Sequence, residues 1–293
     1  MMKKLTKILF LLIVTFTFSC NDNDDDEPTT KDLTLNIDGL ENLGDDYVYE
    51  GWIIVSGAPK TTGRFAVNDD GDLSQSKFTL DKDDLAAATT FILTIEPASG
   101  DDPAPSNTHI LAGDFSGTTG QLSIGHGAAL GDDYSNSGGV YILATPTNGP
   151  DTDENSGIWF LDLSSGAPAV GLNLPVLPSG WKYEGWAVID GQPVTSGKFL
   201  AVDMVDEFDG FSSTMPGPPF PGEDYLVNAP VNVMFPTDLA GGIGVISIEP
   251  DPDNSEGPFL LKPLVGEIPM DAMDHTTYNL DQNLNFPTGT ASR

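Results

Sequence analysis

The stretch Tyr47–Phe65, YVYEGWIIVSGAPKTTGRF, returns 134 residues later as Trp181–Phe199, WKYEGWAVIDGQPVTSGKF. Tyr-Glu-Gly-Trp, then Gly, Pro, Thr and Gly-x-Phe, stand in identical register. A chain that repeats itself in this way must build two like units, so the repeat constrains the fold more than any other feature. It extends on both sides. Leu40 and Leu43 precede the first copy as Leu174 and Leu177 precede the second, and Phe91–Pro97 (FILTIEP) is answered by Val245–Pro250 (VISIEP). Each Glu-Pro leads into an acidic loop, Asp101-Asp-Pro-Ala-Pro105 or Asp251-Pro-Asp-Asn254, and then into an apolar segment, 109–113 or 258–262. The offset grows from 134 to 153 between the two motifs, so copy two carries about nineteen extra residues within 204–230.

Short runs of Val, Ile, Thr and aromatics alternate with Gly, Pro, Asn and Asp, the pattern of strands in sandwiches or barrels. Ser56-Gly57 and Asp190-Gly191 hold the same place between two such runs and predict hairpin turns. With 32 Gly and 23 Pro there is little room for long helices; Asp81 to Thr90 is the one short-helix expectation. The predicted fold class is all-β, with two duplicated β-sandwich-like domains. Residues 32–150 form copy one and 151–293 copy two, after a signal peptide (1–19) and an acidic tether (20–31).

Lys3, Lys4 and Lys7 precede an apolar run, Ile8–Phe18, which ends at Ser19-Cys20. A bilayer core needs about 20 apolar residues, so this run reads as a secretory signal rather than a membrane span. The boundary resembles a bacterial lipobox that would lipidate Cys20, although Thr17-Phe18 departs from its usual residues. A plain signal peptide with an unrelated cysteine is the alternative. Cys20 is the only cysteine, which excludes a disulfide and a cysteine zinc site. The acidic run after it, Asn21 to Glu27, resembles a surface-export signal of some Gram-negative lipoproteins, or serves as a solvated spacer. The expected address is the cell envelope, as an outer-membrane lipoprotein on its periplasmic or surface face. Loss of the three lysines leaves 9 basic residues of the 12 against 44 acidic ones, a formal charge of −35. Nucleic acid and anionic lipid both need a cationic face, so neither is an expected partner.

In a strand, alternate residues face opposite sides, so Glu50 shares a face with Trp52 and Glu184 with Trp186. Folding the hairpins about Gly57 and Gly191 brings Arg64 opposite Glu50 and Lys198 opposite Glu184. A glutamate on an apolar face needs a partner, and the first expectation is two structural ion pairs. The functional alternative is a Trp/Glu platform that stacks on a sugar. The two Glu-Pro glutamates occupy equivalent positions in separate copies, which argues against a glycosidase carboxylate pair. Asp151, Asp153, Asn155 and Asp162 have the alternating oxygen ligands of a calcium loop, though Gly157 falls one place late and strands flank it. Calcium is the only cofactor expectation. His109, His126 and His275 lie in unrelated loops, and Gly-x-Ser-x-Gly is absent. The insertion in copy two, with Phe211, Phe220 and Tyr225 among prolines, is the expected ligand loop.

Tyr49, Trp52, Gly57, Pro59, Gly63 and Phe65, then Thr94, Ile95, Glu96 and Pro97, together resemble the extracytoplasmic domain of anti-sigma-K-type factors. Copy two repeats them with Tyr183, Trp186, Gly191, Pro193, Gly197 and Phe199, then Ser247, Ile248, Glu249 and Pro250. In that family the sigma-binding part is a separate cytosolic helical domain, joined by a transmembrane helix and often carrying a zinc motif. None of these parts is recognisable here. The resemblance therefore implies a fold without implying contact with a cytoplasmic sigma factor. The expected function is a non-enzymatic, lipid-anchored binding or structural module with a protein or glycan ligand. The alternative is a carbohydrate-binding or sugar-processing accessory protein.

Overall fold

The computed structural model describes residues 28–253 and 255–293. The signal peptide, Cys20 and all but the end of the tether lie outside the described residues. Strand β1 begins at Thr30, and Thr30 and Lys31 pair with Asp81 and Leu80. The last two tether residues thus belong to the fold, a correction to the boundary at 31.

Copy one supplies β1 (Thr30–Asp38), β2 (Tyr47–Val55), β3 (Ala58–Phe65), β4 (Lys77–Asp81), α1 (Lys82–Ala87), β5 (Thr90–Pro97), β6 (His109–Ser116) and β7 (Thr119–Ser123). Then follow β8 (Gly138–Leu143), β9 (Gly157–Trp159) and the short β10 (Leu161–Asp162), β11 (Ala169–Val170) and β12 (Leu172–Asn173). Copy two continues with β13 (Trp181–Ile189), β14 (Gln192–Phe199), β15 (Gly222–Asp224), β16 (Ile243–Pro250), β17 (Leu264–Glu267), β18 (Tyr278–Gln282) and β19 (Thr288–Ser292). The helix is placed by Asp81, whose carboxylate accepts from Asp83 N and Asp84 N at 2.9 Å as an N-cap. The two hairpin turns take left-handed φ at both central residues, 53° and 81° at Ser56-Gly57 and 52° and 84° at Asp190-Gly191. That is the turn whose twist matches its strands.

The protein is all-β, with two nearly closed, sandwich- or barrel-like sheets. Their orders are β3-β2-β5-β6-β7-β19-β1-β4 and β14-β13-β16-β17-β18-β8-β9-β15, with β12 paired to β8. In each, the two edge strands come back beside one another, so few backbone groups remain as open edges. The orders match position for position, with one exchange. β8 follows β7 in the chain but sits next to β18, while β19 follows β18 but sits next to β7. Each copy thus lends the other its last strand. The expected division at residue 150 does not coincide with the division between sheets, because sequence adjacency says nothing about which sheet a terminal strand joins. One continuous core runs through both halves, from Leu33, Tyr49 and Phe91 to Tyr183, Phe199 and Ile248.

Candidate functional site

The repeated hairpin positions two carboxylate networks. Glu50 and Arg64 are directly opposite in register, as are Glu184 and Lys198. Just beyond each pair a β-bulge follows Gly51 or Gly185, where a Cβ would press into Thr62 Oγ1 and the Phe91 ring, or Ser196 Oγ and the Phe160 ring. Glycine there lets the strand pass close to the next layer. Glu50 is buried; its Oε1 accepts from Thr61 Oγ1 at 2.5 Å and its Oε2 lies 2.6 Å from Arg64 Nε. The same guanidinium reaches Asp101 through Nη2 and donates from Nη1 to Pro97 O at 3.3 Å. One planar fork therefore serves two acidic groups and a carbonyl.

Copy two has a lysine in that place, and the difference shows. Glu184 Oε1 accepts from Thr195 Oγ1 at 2.5 Å, and Lys198 Nζ lies 2.9 Å from Asp253 Oδ2. Its distance to Glu184 Oε2 is 3.7 Å, too long for a hydrogen bond, and that oxygen is buried with no other partner. A point charge cannot fork as a guanidinium does. Burial raises the Glu184 carboxyl above its ordinary range, against the pull of Thr195 and Lys198. Burial alone would lower the Lys198 ammonium, but Asp253, Glu184 and Glu249 together hold it above its usual value.

Behind each pair stands the Glu-Pro glutamate. Trp52 Nε1 donates to Thr94 Oγ1 at 2.9 Å, and Thr94 donates to Glu96 Oε1 at 2.5 Å. Glu96 Oε1 also accepts Ser106 N at 2.8 Å. In copy two Trp186 Nε1 donates to Ser247 Oγ at 2.8 Å, Ser247 donates to Glu249 Oε1, and Phe259 N reaches the same oxygen at 2.9 Å. Glu249 is fully buried, and burial pushes its carboxyl up to about 8. Glu184, Glu249 and Asp253 offer ligand oxygens within 4.8 Å of one another, and the Lys198 ammonium already lies beside Asp253 and Glu184.

The tryptophans themselves are only 4 % and 2 % exposed, Trp52 lying under Ala128 and Ala129 of the glycine-rich segment after β7. This overturns the Trp/Glu sugar platform: the rings are core. The expected ligand loop fails for the same reason. Tyr225 is fully buried, and Phe220 packs with Ile142, Trp159 and Leu161. Phe211 stacks edge-on to Phe208 and Phe235 at centroid distances of 4.9 and 5.3 Å. Apolar side chains in a long connection had an alternative to exposure, a second core, and took it. The calcium expectation is not brought together either. Asp151, Asp153 and Asn155 line one open groove, whereas Asp162 stands beyond β9 with its carboxylate on Ser164.

What the sequence reading missed lies in the connections. Asp101 and Asp253 read as solvated loop acids but complete the ion pairs. Glu223 and Asp224 are fully buried in β15. Burial lifts Glu223 to about 7 and raises Asp224, which accepts from Trp159 Nε1 at 2.8 Å and Thr147 Oγ1 at 2.5 Å. Asp206, half-buried within the insertion and accepting from Phe208 N and Gly222 N, is lifted to about 6 by desolvation. Nothing in their spacing marked them.

The two Glu-Pro loops meet at a cleft of about 520 Å³ between the halves. Tyr47, Pro97, Ser106 and Asn107 line it from one half and Pro250, Pro252, Asp253 and Phe259 from the other, with half-buried Glu41 also in its lining. Burial raises Glu41 to about 7, against the opposing charge of Lys262. The segment carrying Glu41 is held by Tyr49 Oη, which donates to Glu41 O at 3.0 Å; Tyr183 Oη donates to Pro175 O at 2.7 Å in the matching place.

Residues 26–109 match the family model described as "Anti-sigma-K factor rskA, C-terminal". The matched span holds β1 to β5 of copy one, including the Glu50 network, and ends at the start of β6. No curated protein and no solved structure matches the chain.

Proposed function

We propose that the chain is a non-enzymatic cell-envelope protein, held to its membrane by a lipid on Cys20, whose two halves act as one binding module. The cleft between the halves is its ligand site. The observation that supports this is the convergence of equivalent loops from both copies on one cavity, where the two aspartates of the second Glu-Pro loop are already answered by lysines. Asp253 has Lys198 at 2.9 Å and Asp251 has Lys182 at 3.5 Å. With Tyr47, Phe259 and three prolines in its walls, the cleft fits an uncharged ligand with apolar faces and a few hydrogen-bonding groups. The glutamates behind it are held by donors of their own chain, which favours positioning over proton transfer. An exported, anchored protein of charge −35 contacts neither nucleic acid nor a cytoplasmic sigma factor. Trp52 and Trp186 are buried and offer no platform to a sugar.

Asn107 lines the cleft and is exposed. Asn107→Trp would fill the cavity from its rim. Ligand-observed NMR with a set of neutral small molecules, oligosaccharides and short peptides should give binders that Asn107→Trp loses and Met204→Leu keeps. Binders indifferent to Asn107→Trp, or none at all, would leave the cleft a structural joint. Anchoring is tested separately: Cys20→Ala should move the protein from the membrane to the soluble fraction.

A further inference from the structure

Three carboxylates of copy two, Glu184, Glu249 and Asp253, come together out of water. Glu249 is fully buried, and the side chains of Glu184 and Asp253 are only 6 % and 4 % exposed. Each offers an oxygen within 4.8 Å of those of the other two. Among the described residues no other three acidic, histidine or cysteine side chains come so close. A calcium ion bonds oxygen at about 2.4 Å, so one ion touches two oxygens only where they lie within about 4.8 Å of each other. Acids on a surface sit together at little cost because water screens them; buried ones repel through a poorer dielectric.

Lys198 does not close this cluster. Its Nζ lies 2.9 Å from Asp253 Oδ2 but 3.7 Å from Glu184 Oε2, and that Glu184 oxygen is buried without a hydrogen-bond donor. A buried acceptor left in this way is costly, and three carboxylates around one ammonium need a proton or a second cation to balance them. Copy one shows the closed form. Arg64 puts Nε 2.6 Å from Glu50 Oε2 and Nη2 on Asp101, so one guanidinium spans the two acids. Lysine in the same register place is a point charge that answers one acid well. Its side chain is 28 % exposed, and its long stem lets the ammonium turn toward solvent. Asp253 also lines the cleft between the halves, which gives an ion a path inward and water for the ligand positions the carboxylates leave open. The offered atoms are all carboxylate oxygens, which suit hard cations. Ca²⁺ tolerates the irregular set that a strand pair and a loop supply, whereas Mg²⁺ demands a near-ideal octahedron.

We propose that Glu184, Glu249 and Asp253 bind a hard divalent cation of the Ca²⁺ class, in competition with the Lys198 ammonium. The site does not depend on what the cleft takes as its ligand. The test is calorimetric titration of the full chain in detergent with Ca²⁺, after treatment with a chelator. One saturable equivalent per chain should appear. Glu184→Gln and Asp253→Asn should each weaken it by about tenfold or more, as expected for a lost ligand. Lys198→Met should tighten it by about tenfold or more, because a like charge leaves the site. Tighter binding on loss of a lysine is a result that a merely structural ion pair would not give. Asp253 lies on a loop, so Asp253→Asn keeps the test decisive should Glu184→Gln fail to fold by circular dichroism. Asp101→Asn in copy one and Asp153→Asn in the open groove should change nothing, which separates the site from calcium held diffusely by an acidic surface. The proposal is overturned if no saturable Ca²⁺ binding appears, if Glu184→Gln and Asp253→Asn bind as the parent does, or if Lys198→Met binds no tighter.

Discussion

Glu249→Gln isolates a contribution to stability that is present in acid and lost as pH rises. The carboxyl is fully buried, and burial lifts it to about 8 from an ordinary 4.5; Glu184 and Asp253 push in the same direction, while Ser247 and Phe259 N pull back. The folded protein therefore keeps this proton up to about pH 8, whereas the unfolded chain releases it near 4.5. Between those values the unfolded state binds fewer protons, so stability is complete below the unfolded pKa and falls as pH rises. One proton is worth about 1.4 kcal/mol per pH unit. From about pH 5 to about pH 7.5 the loss from Glu249 is then roughly 3 kcal/mol. Glutamine keeps an acceptor for Ser247 and Phe259 N but has no proton to lose. Urea unfolding of both proteins at half-unit pH steps should show the parent losing about 3 kcal/mol more than the variant, a midpoint difference of roughly 1–2 M at the slopes usual for small proteins. Profiles that run parallel across this range would show that Glu249 ionises in the folded state as readily as in the unfolded one, and the argument from burial would fall.

Arg64→Ala should destabilise by about 3 kcal/mol, since Glu50 and Asp101 lose the cation between them; Lys198→Arg should stabilise by up to about 1 kcal/mol, because a fork can reach both Glu184 and Asp253. Urea midpoints in the opposite order would contradict the comparison of the two copies. Gly51→Ala and Gly185→Ala should each cost about 1–3 kcal/mol through overpacking at the bulge, measured as a fall in thermal midpoint; unchanged midpoints would mean the layers can part. Deleting residues 287–293 removes β19 from between β7 and β1, and should make copy one protease-sensitive before copy two. Equal resistance of both halves would argue against the strand exchange.

The architecture was legible where the sequence repeats and silent where it does not. The two-residue turns alone would set Glu50 against Gly63 and Glu184 against Gly197; the β-bulge after Gly51 or Gly185 shifts the pairing by one residue and puts Arg64 and Lys198 opposite the glutamates. Alternation misled on exposure. It put Trp52 and Glu50 on a second face, and nothing local told that the segment around Ala129 would cover it. Phe211, Phe220 and Tyr225 looked exposed because prolines surround them, yet burial is decided by what a loop folds back upon. Asp101 and Asp253 were hidden for a related reason: a loop acid becomes structural only when a distant cation points at it, and Arg64 and Lys198 do so from a strand 37 and 55 residues away.

The exchange of β8 and β19 explains why two copies make a single body. A tandem duplication alone yields two beads on a string, each able to move. Here β19 is built of small residues, with Gly289 set against the Ile37 backbone, whereas β8 brings Tyr141, Ile142 and Leu143. Neither strand has the shape of the other, so neither half can close its sheet with its own last strand. The halves are thereby fixed against each other, and the Glu-Pro loops that meet between them keep their spacing. In a single copy the Glu50 or Glu184 network would brace one strand pair at a solvent-facing end. With the strands exchanged, the same networks stand behind the two opposing walls of a cleft that neither copy holds alone.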